Sequence, residues 1–129
     1  MTRDSINVHY PALDTTESVA SASITAQAVT VANGINIANV FSNKNNSLVI
    51  VVNNTSNAAS SMTLKAGGAY PNSMIGNSVV SLAKGITAVQ IQDLSRYEKT
   101  DGSVDIDFAT GFTGNIYAVA KWAGVRPVV

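Results

Sequence analysis

From about Val19 to the end, the chain is a series of short apolar or alternating runs, each closed by glycine or asparagine. Ser23–Val31 mixes β-branched with small residues, and Asn33-Gly34 breaks it. Ile35, Ile37, Val40 and Phe41 follow in an Asn-rich stretch and read as a loop laying its few apolar residues on a core. Leu48–Val52 is continuously apolar and β-branched at four of five positions, the composition of a buried central strand. Asn53–Asn57 is a loop; Met62–Ala66 alternates with the period of a strand and stops at Gly67-Gly68.

Gly67–Asn77, with Pro71 and Gly76, is irregular. Val79–Ala83 and Thr87–Ile91 flank Lys84-Gly85, which reads as a hairpin turn. Arg96–Thr100 and Ser103–Phe108 flank Asp101-Gly102, a dipeptide suited to a type I′ turn because both central residues need positive φ. Gly111 and Gly114 bound a further turn, and Asn115–Trp122 forms the last strand. About eight strands without a helical stretch predict an all-β fold, a single antiparallel β-sandwich or barrel-like domain over residues 18–129. Residues 1–17 are polar, carry Pro11 and keep no period. They read as an extended N-terminal arm that reaches at most roughly 55–60 Å, and whose removal should leave the fold intact.

Composition narrows the function. At 129 residues, 46% of them apolar, one core can form without staples. Charged residues make up 12%, about half the share usual in soluble domains, so Asn, Ser and Thr supply the polarity. Eight cations balance eight acids and are scattered singly, which argues against a nucleic-acid partner. Zero cysteines exclude disulfides and thiolate chemistry. The N-terminus lacks the apolar core of a signal peptide, so synthesis in a cytoplasm is expected; no apolar run is long enough to span a bilayer as a helix.

Candidate chemistry is sparse. His9, the only histidine, lies in the arm, and no GxSxG, P-loop or GxGxxG motif is present. Asp105 and Asp107 share one face of a strand whose other face carries Val104, Ile106 and Phe108. Together with Asp101 they suggest either a calcium or carboxylate-pair site or the solvent face of an alternating strand. EF-hand spacing and its closing Glu are missing, which favours the solvent face. Met62 and Met74 read as core filling rather than an adaptable binding surface. Trp122 reads as a core or interface aromatic rather than a sugar platform. Asn45-Asn46-Ser47 and Asn53-Asn54-Thr55 match glycosylation acceptors by chance in so Asn-rich a chain. No catalytic residue, metal ligand or cofactor is expected, and the chain reads as a non-enzymatic binding or structural protein.

The second half has a further pattern. It runs from a strand ending in Asn-Asn-Thr (Leu48–Thr55), through Met62–Gly68, a Val-Ser-Leu-Ala strand and Lys84-Gly85-Ile86-Thr87. Leu94–Tyr97, Asp101–Phe108 and Gly111–Ile116 follow. Over residues 45–122 this resembles small virion proteins of tailed bacteriophages that act as head decoration, or cement, proteins. The resemblance implies a non-catalytic, β-rich homo-oligomer, commonly a trimer, bound to the major capsid protein on the outer surface of the virion capsid. It implies neither a nucleic-acid nor a membrane partner. Such a protein stabilises an expanded shell by binding it in preference to its precursor. Contacts to the shell or a neighbouring subunit are then expected from arm residues Ile6, Val8, Tyr10 and Leu13 and from tail residues Val125, Arg126 and Val128. A tail or head-fibre component, and a carbohydrate-binding or adhesion module on a similar sandwich, are the alternatives.

Overall fold

The computed structural model describes residues 3–9, 12–13, 20–21, 24–38, 48–91 and 94–119. Its strands are β1 (Asp4–His9), β2 (Ala12–Leu13), β3 (Ala20–Ser21), β4 (Gln27–Ala28), β5 (Ile35–Ala38) and β6 (Leu48–Asn54). They continue as β7 (Ser60–Leu64), β8 (Ser78–Leu82), β9 (Gly85–Ile91), β10 (Val104–Phe108) and β11 (Gly114–Val119). Two 3₁₀ turns, Pro71–Ile75 and Leu94–Arg96, interrupt the strands.

Among the described residues nine strands form one sheet, ordered β8-β7-β10-β5-β1-β11-β6-β9 with β4 also on β11, and it curls until it is nearly a closed barrel. The all-β expectation holds. β2 and β3 form a separate antiparallel pair. Period-2 alternation is visible in the burial: on β5, β6 and β10 the core-facing residues are buried and their neighbours half-exposed. Ile35, Ile37, Leu48, Ile50, Val52, Met62, Leu82, Val104, Ile106 and Ile116 fill the interior. Each such side chain contributes roughly 1.5–3 kcal/mol of burial free energy. Phe108 and Phe112 stack beside them with centroids 4.6 Å apart.

Four local readings change. The stretch around Ile35 and Ile37 is a strand, β5, because its two isoleucines are spaced two apart and both face the core; Val40 and Phe41 lie outside the described residues. Lys84-Gly85 does join two strands, but they are not a hairpin. β8 pairs with β7 and β9 with β6, so the connection links the two ends of the sheet.

The Asp101-Gly102 turn forms, with Gly102 at φ 80. Its bonds run from Gly102 N–H to Lys99 O and from Lys99 N–H to Ser103 O, enclosing three residues rather than two. The segment before it begins as the 3₁₀ turn at Leu94–Arg96.

The fourth change concerns the segment read as an arm. Asp4–His9 lies inside the sheet, parallel to both neighbours. Asp4–Asn7 pair with β5 and Val8–His9 with β11, so β1 bridges two otherwise antiparallel halves.

Candidate functional site

The acidic ladder comes first. Asp105 and Asp107 stand on the outer face of β10 while Val104, Ile106 and Phe108 are buried, as alternation requires. Arg3 reaches both carboxylates and donates to Ile106 O; its Nε lies 3.4 Å from Asp105 Oδ2. Lys99 Nζ lies 3.2 Å from Asp105 and Lys65 Nζ 3.6 Å from Asp107, and Asn36 donates to Asp105 at 2.8 Å. The Arg3 hydrogen bond, ahead of the charges of Arg3 and Lys65, holds the Asp107 carboxyl below its usual range. Asp101 is lowered by hydrogen bonds from Ser103, inside its own turn. These carboxylates are therefore engaged by cations and donors of the same chain. Among the described residues no group of three or more His, Cys, Asp or Glu is placed to hold a metal ion.

A different arrangement stands at the two ends of the sheet. β8 and β9 are joined by Ala83–Lys84 but do not pair with each other, so among the described residues each has one edge without a sheet partner. Toward their other ends a cleft of about 210 Å³ opens between them. Leu64, Ile75, Val80, Val89, Ile91 and Tyr97 supply its apolar lining, and Ser78, Gln90 and Arg96 its polar part. On β8 and β9 every second side chain points outward, which leaves Val79 69% and Ile86 74% exposed.

The loop between β7 and β8 adds to this apolar surface. Met74 is 90% exposed, Ile75 65%, and Tyr70 about half. Such exposure in a slack loop would carry no information, but this loop is strapped down. Ala66 N–H donates to Asn77 Oδ1 at 2.7 Å, Gly67 N–H to Arg96 O at 3.1 Å and Ala69 N–H to Glu98 O at 3.3 Å. Arg96 donates through Nε to Gly76 O at 2.8 Å and through Nη2 to Asn77 O at 2.9 Å, with its guanidinium 5.2 Å from the centre of the Tyr97 ring. Asn72 donates to Ser95 at 2.9 Å. Pro71 opens the 3₁₀ turn, where its fixed φ suits the geometry. A Cβ on Gly67 would overlap the Glu98 carbonyl, so only glycine permits this approach of the two backbones.

Glu98 is the buried acid beneath the strap. Burial raises its carboxyl above the ordinary range, a hydrogen bond with Tyr70 opposes that, and Oε2 has no hydrogen-bond partner among the described residues. At the joined end of the seam, buried Asn54 donates to Ala58 O at 3.0 Å and Leu82 O at 3.2 Å, tying the β6–β7 turn to the end of β8.

The contact residues expected from sequence fall elsewhere. Val8 is buried in the core and Ile6 packs partly buried against it, both within β1. Leu13 lies in the short strand β2, while Tyr10, Val125, Arg126 and Val128 lie outside the described residues, as does Trp122. Of the two methionines expected in the core, Met62 is there and Met74 is not. Sequence reasoning missed Tyr70, Met74, Ile75, Val79 and Ile86. A usable signal was present: from Ala66 to Ile91 the only charged residue is Lys84. No family model, curated protein or solved structure matches this chain.

Proposed function

We propose that this chain is a non-enzymatic contact protein of a bacteriophage particle, a decoration protein that binds the outside of the capsid and stabilises the expanded head. The observation supporting a contact role is the strapped loop, whose polar bonds fix the backbone while Met74 and Ile75 project into solvent. A loop ordered before binding loses little conformational entropy on docking, and exposed large apolar side chains gain by being covered. The phage assignment comes from the resemblance over residues 45–122. The ion pairs around Asp105 and Asp107 fit the same reading, since the chain satisfies those charges itself, and the segment from Ala66 to Ala83 carries no charged residue.

The test is co-sedimentation of the purified chain with two shells of the source virus, expanded heads stripped of accessory proteins and unexpanded precursors. Saturable binding to expanded heads, with raised thermal resistance, is the expected result. Binding to neither shell removes the decoration role and returns the tail, fibre and adhesion alternatives.

A further inference from the structure

Glu98 sits where the two segments of the strap meet. It is 8% exposed, and its Oε2 has no hydrogen-bond partner among the described residues. The β7–β8 loop meets it at three points. Gly67 approaches its carbonyl too closely for a Cβ, Ala69 N–H donates to Glu98 O at 3.3 Å, and Tyr70 hydrogen-bonds the carboxyl. On its own segment the backbone is held on both sides: Glu98 N–H donates to Leu94 O at 3.0 Å, and Lys99 N–H to Ser103 O at 2.9 Å. A neutral carboxyl tolerates such a place, whereas a buried carboxylate with one oxygen unpaired costs far more. The other ionisable groups of these elements are engaged elsewhere. Lys65 and Lys99 lie against Asp107 and Asp105, and Asp101 bonds with Ser103. Arg96 donates to Gly76 O and Asn77 O with its guanidinium over the Tyr97 ring. Among the described residues Tyr70 is the one side chain that stabilises the Glu98 charge.

We infer that Glu98 is a proton-operated latch on the loop that presents Met74 and Ile75: protonated, it lets the first half of the loop close over it, and ionised, it opens that half to solvent. The carboxylate regains solvation only if something beside it moves. Its own segment is pinned by the Leu94 and Ser103 bonds, so the loop yields. On that side the Ala69 bond, at 3.3 Å, is longer than the Gly67–Arg96 bond at 3.1 Å. The second half of the loop is held by a different device, because the Arg96 guanidinium on Gly76 and Asn77 stays charged at every pH the fold meets. Latch and clamp thus divide the loop at the 3₁₀ turn Pro71–Ile75, which carries Met74 and Ile75. Burial raises the Glu98 carboxyl, so the closed loop has its full support below about 4.5 and loses it as pH rises through the closed-state value. A loop ordered beforehand loses less entropy on docking, so the contact surface is best formed while Glu98 holds its proton. That consequence rests on the reading of Met74 and Ile75 as contact residues; the latch itself does not.

The test uses the purified full chain alone, so its failure is distinct from a failure to bind heads. Carbon-13 NMR of the Glu98 carboxyl gives its ionisation midpoint. Hydrogen exchange from pH 4 to 7, corrected for intrinsic rates, gives the protection of the Gly67 and Ala69 amides. Linkage sets the size of the effect: that protection should fall about tenfold for each pH unit between 4.5 and the measured midpoint. Because the opening is local, both amides should exchange faster than those of β6 and stay insensitive to low urea, to which the β6 amides respond. In Glu98→Gln the protection should not change with pH. Tyr70→Phe removes the bond that favours the charge, so the midpoint and the loss of protection should move upward together. Constant protection in the wild type would overturn the inference, as would an equal fall in Glu98→Gln. So would exchange of both amides only together with β6, or a loss of protection that stays in place when Tyr70→Phe moves the midpoint.

Discussion

At Gly67 the chain runs so close to the Glu98 carbonyl that a single added methyl group has no space. The neighbouring atoms are backbone, fixed by the Gly67–Arg96 and Ala69–Glu98 hydrogen bonds, and cannot swing aside as a flexible side chain would. Gly67→Ala is expected to cost about 1–3 kcal/mol, the range for overpacked sites, read as a lower urea midpoint. Glu98 beneath it makes a pH prediction. Its folded pKa is raised from 4.5, so the folded state holds its proton where the unfolded chain has released it. That contribution favours folding at low pH and is lost as pH rises from about 4.5 through the folded value. Glu98→Gln does not titrate, so the stability of wild type relative to this variant should fall across that interval. Urea melts from pH 4 to 7 check it; a constant difference would mean that Glu98 ionises as freely in the fold as outside it.

Among the elements, β1 is the least expected. Alternation at Ile6 and Val8 is legible in the sequence, but Pro11 and the polar residues around it give the segment the look of an arm. Its place is settled by partners distant in the chain: β5 about thirty residues on, β11 more than a hundred. Arg3 fastens its start to Ile106 O, Asp105 and Asp107 on β10. Arg3→Ala is expected to destabilise by about 1 kcal/mol, the scale of partly exposed ion pairs, and to speed amide exchange through Asp4–Val8. Asp107 has a lowered folded pKa, so its contribution is present above about pH 3.8 and is lost as pH falls through the folded value. Its side chain is 45% exposed, so solvent and salt keep that contribution small. Equal exchange rates in wild type and Arg3→Ala would show that sheet pairing alone holds β1.

For the whole molecule the main feature is the seam. A fully closed barrel has no edges, whereas among the described residues this sheet stops at β8 and β9 with the cleft between them. Native-state hydrogen exchange should therefore be slowest in β6 and β11, each paired along both edges, and fastest on the unpaired edges of β8 and β9.

The sequence by itself determined the all-β class, the strand at Leu48–Val52, the alternation that turns Asp105 and Asp107 outward and the turn at Gly102. These are local matters, fixed by side-chain period and by backbone conformations that glycine adopts without strain. Only the tertiary structure decided that Lys84-Gly85 joins the sheet's two ends, because a turn dipeptide signals a reversal of the chain and not which strands then pair. Tertiary structure also decided that Val8 is buried while Met74 projects. Both are apolar residues in unremarkable local sequence, and their fates depend on contacts made by residues far along the chain. For Val8 that contact is the parallel pairing with Ala118; for Met74 it is the hold of Arg96 on Gly76 and Asn77.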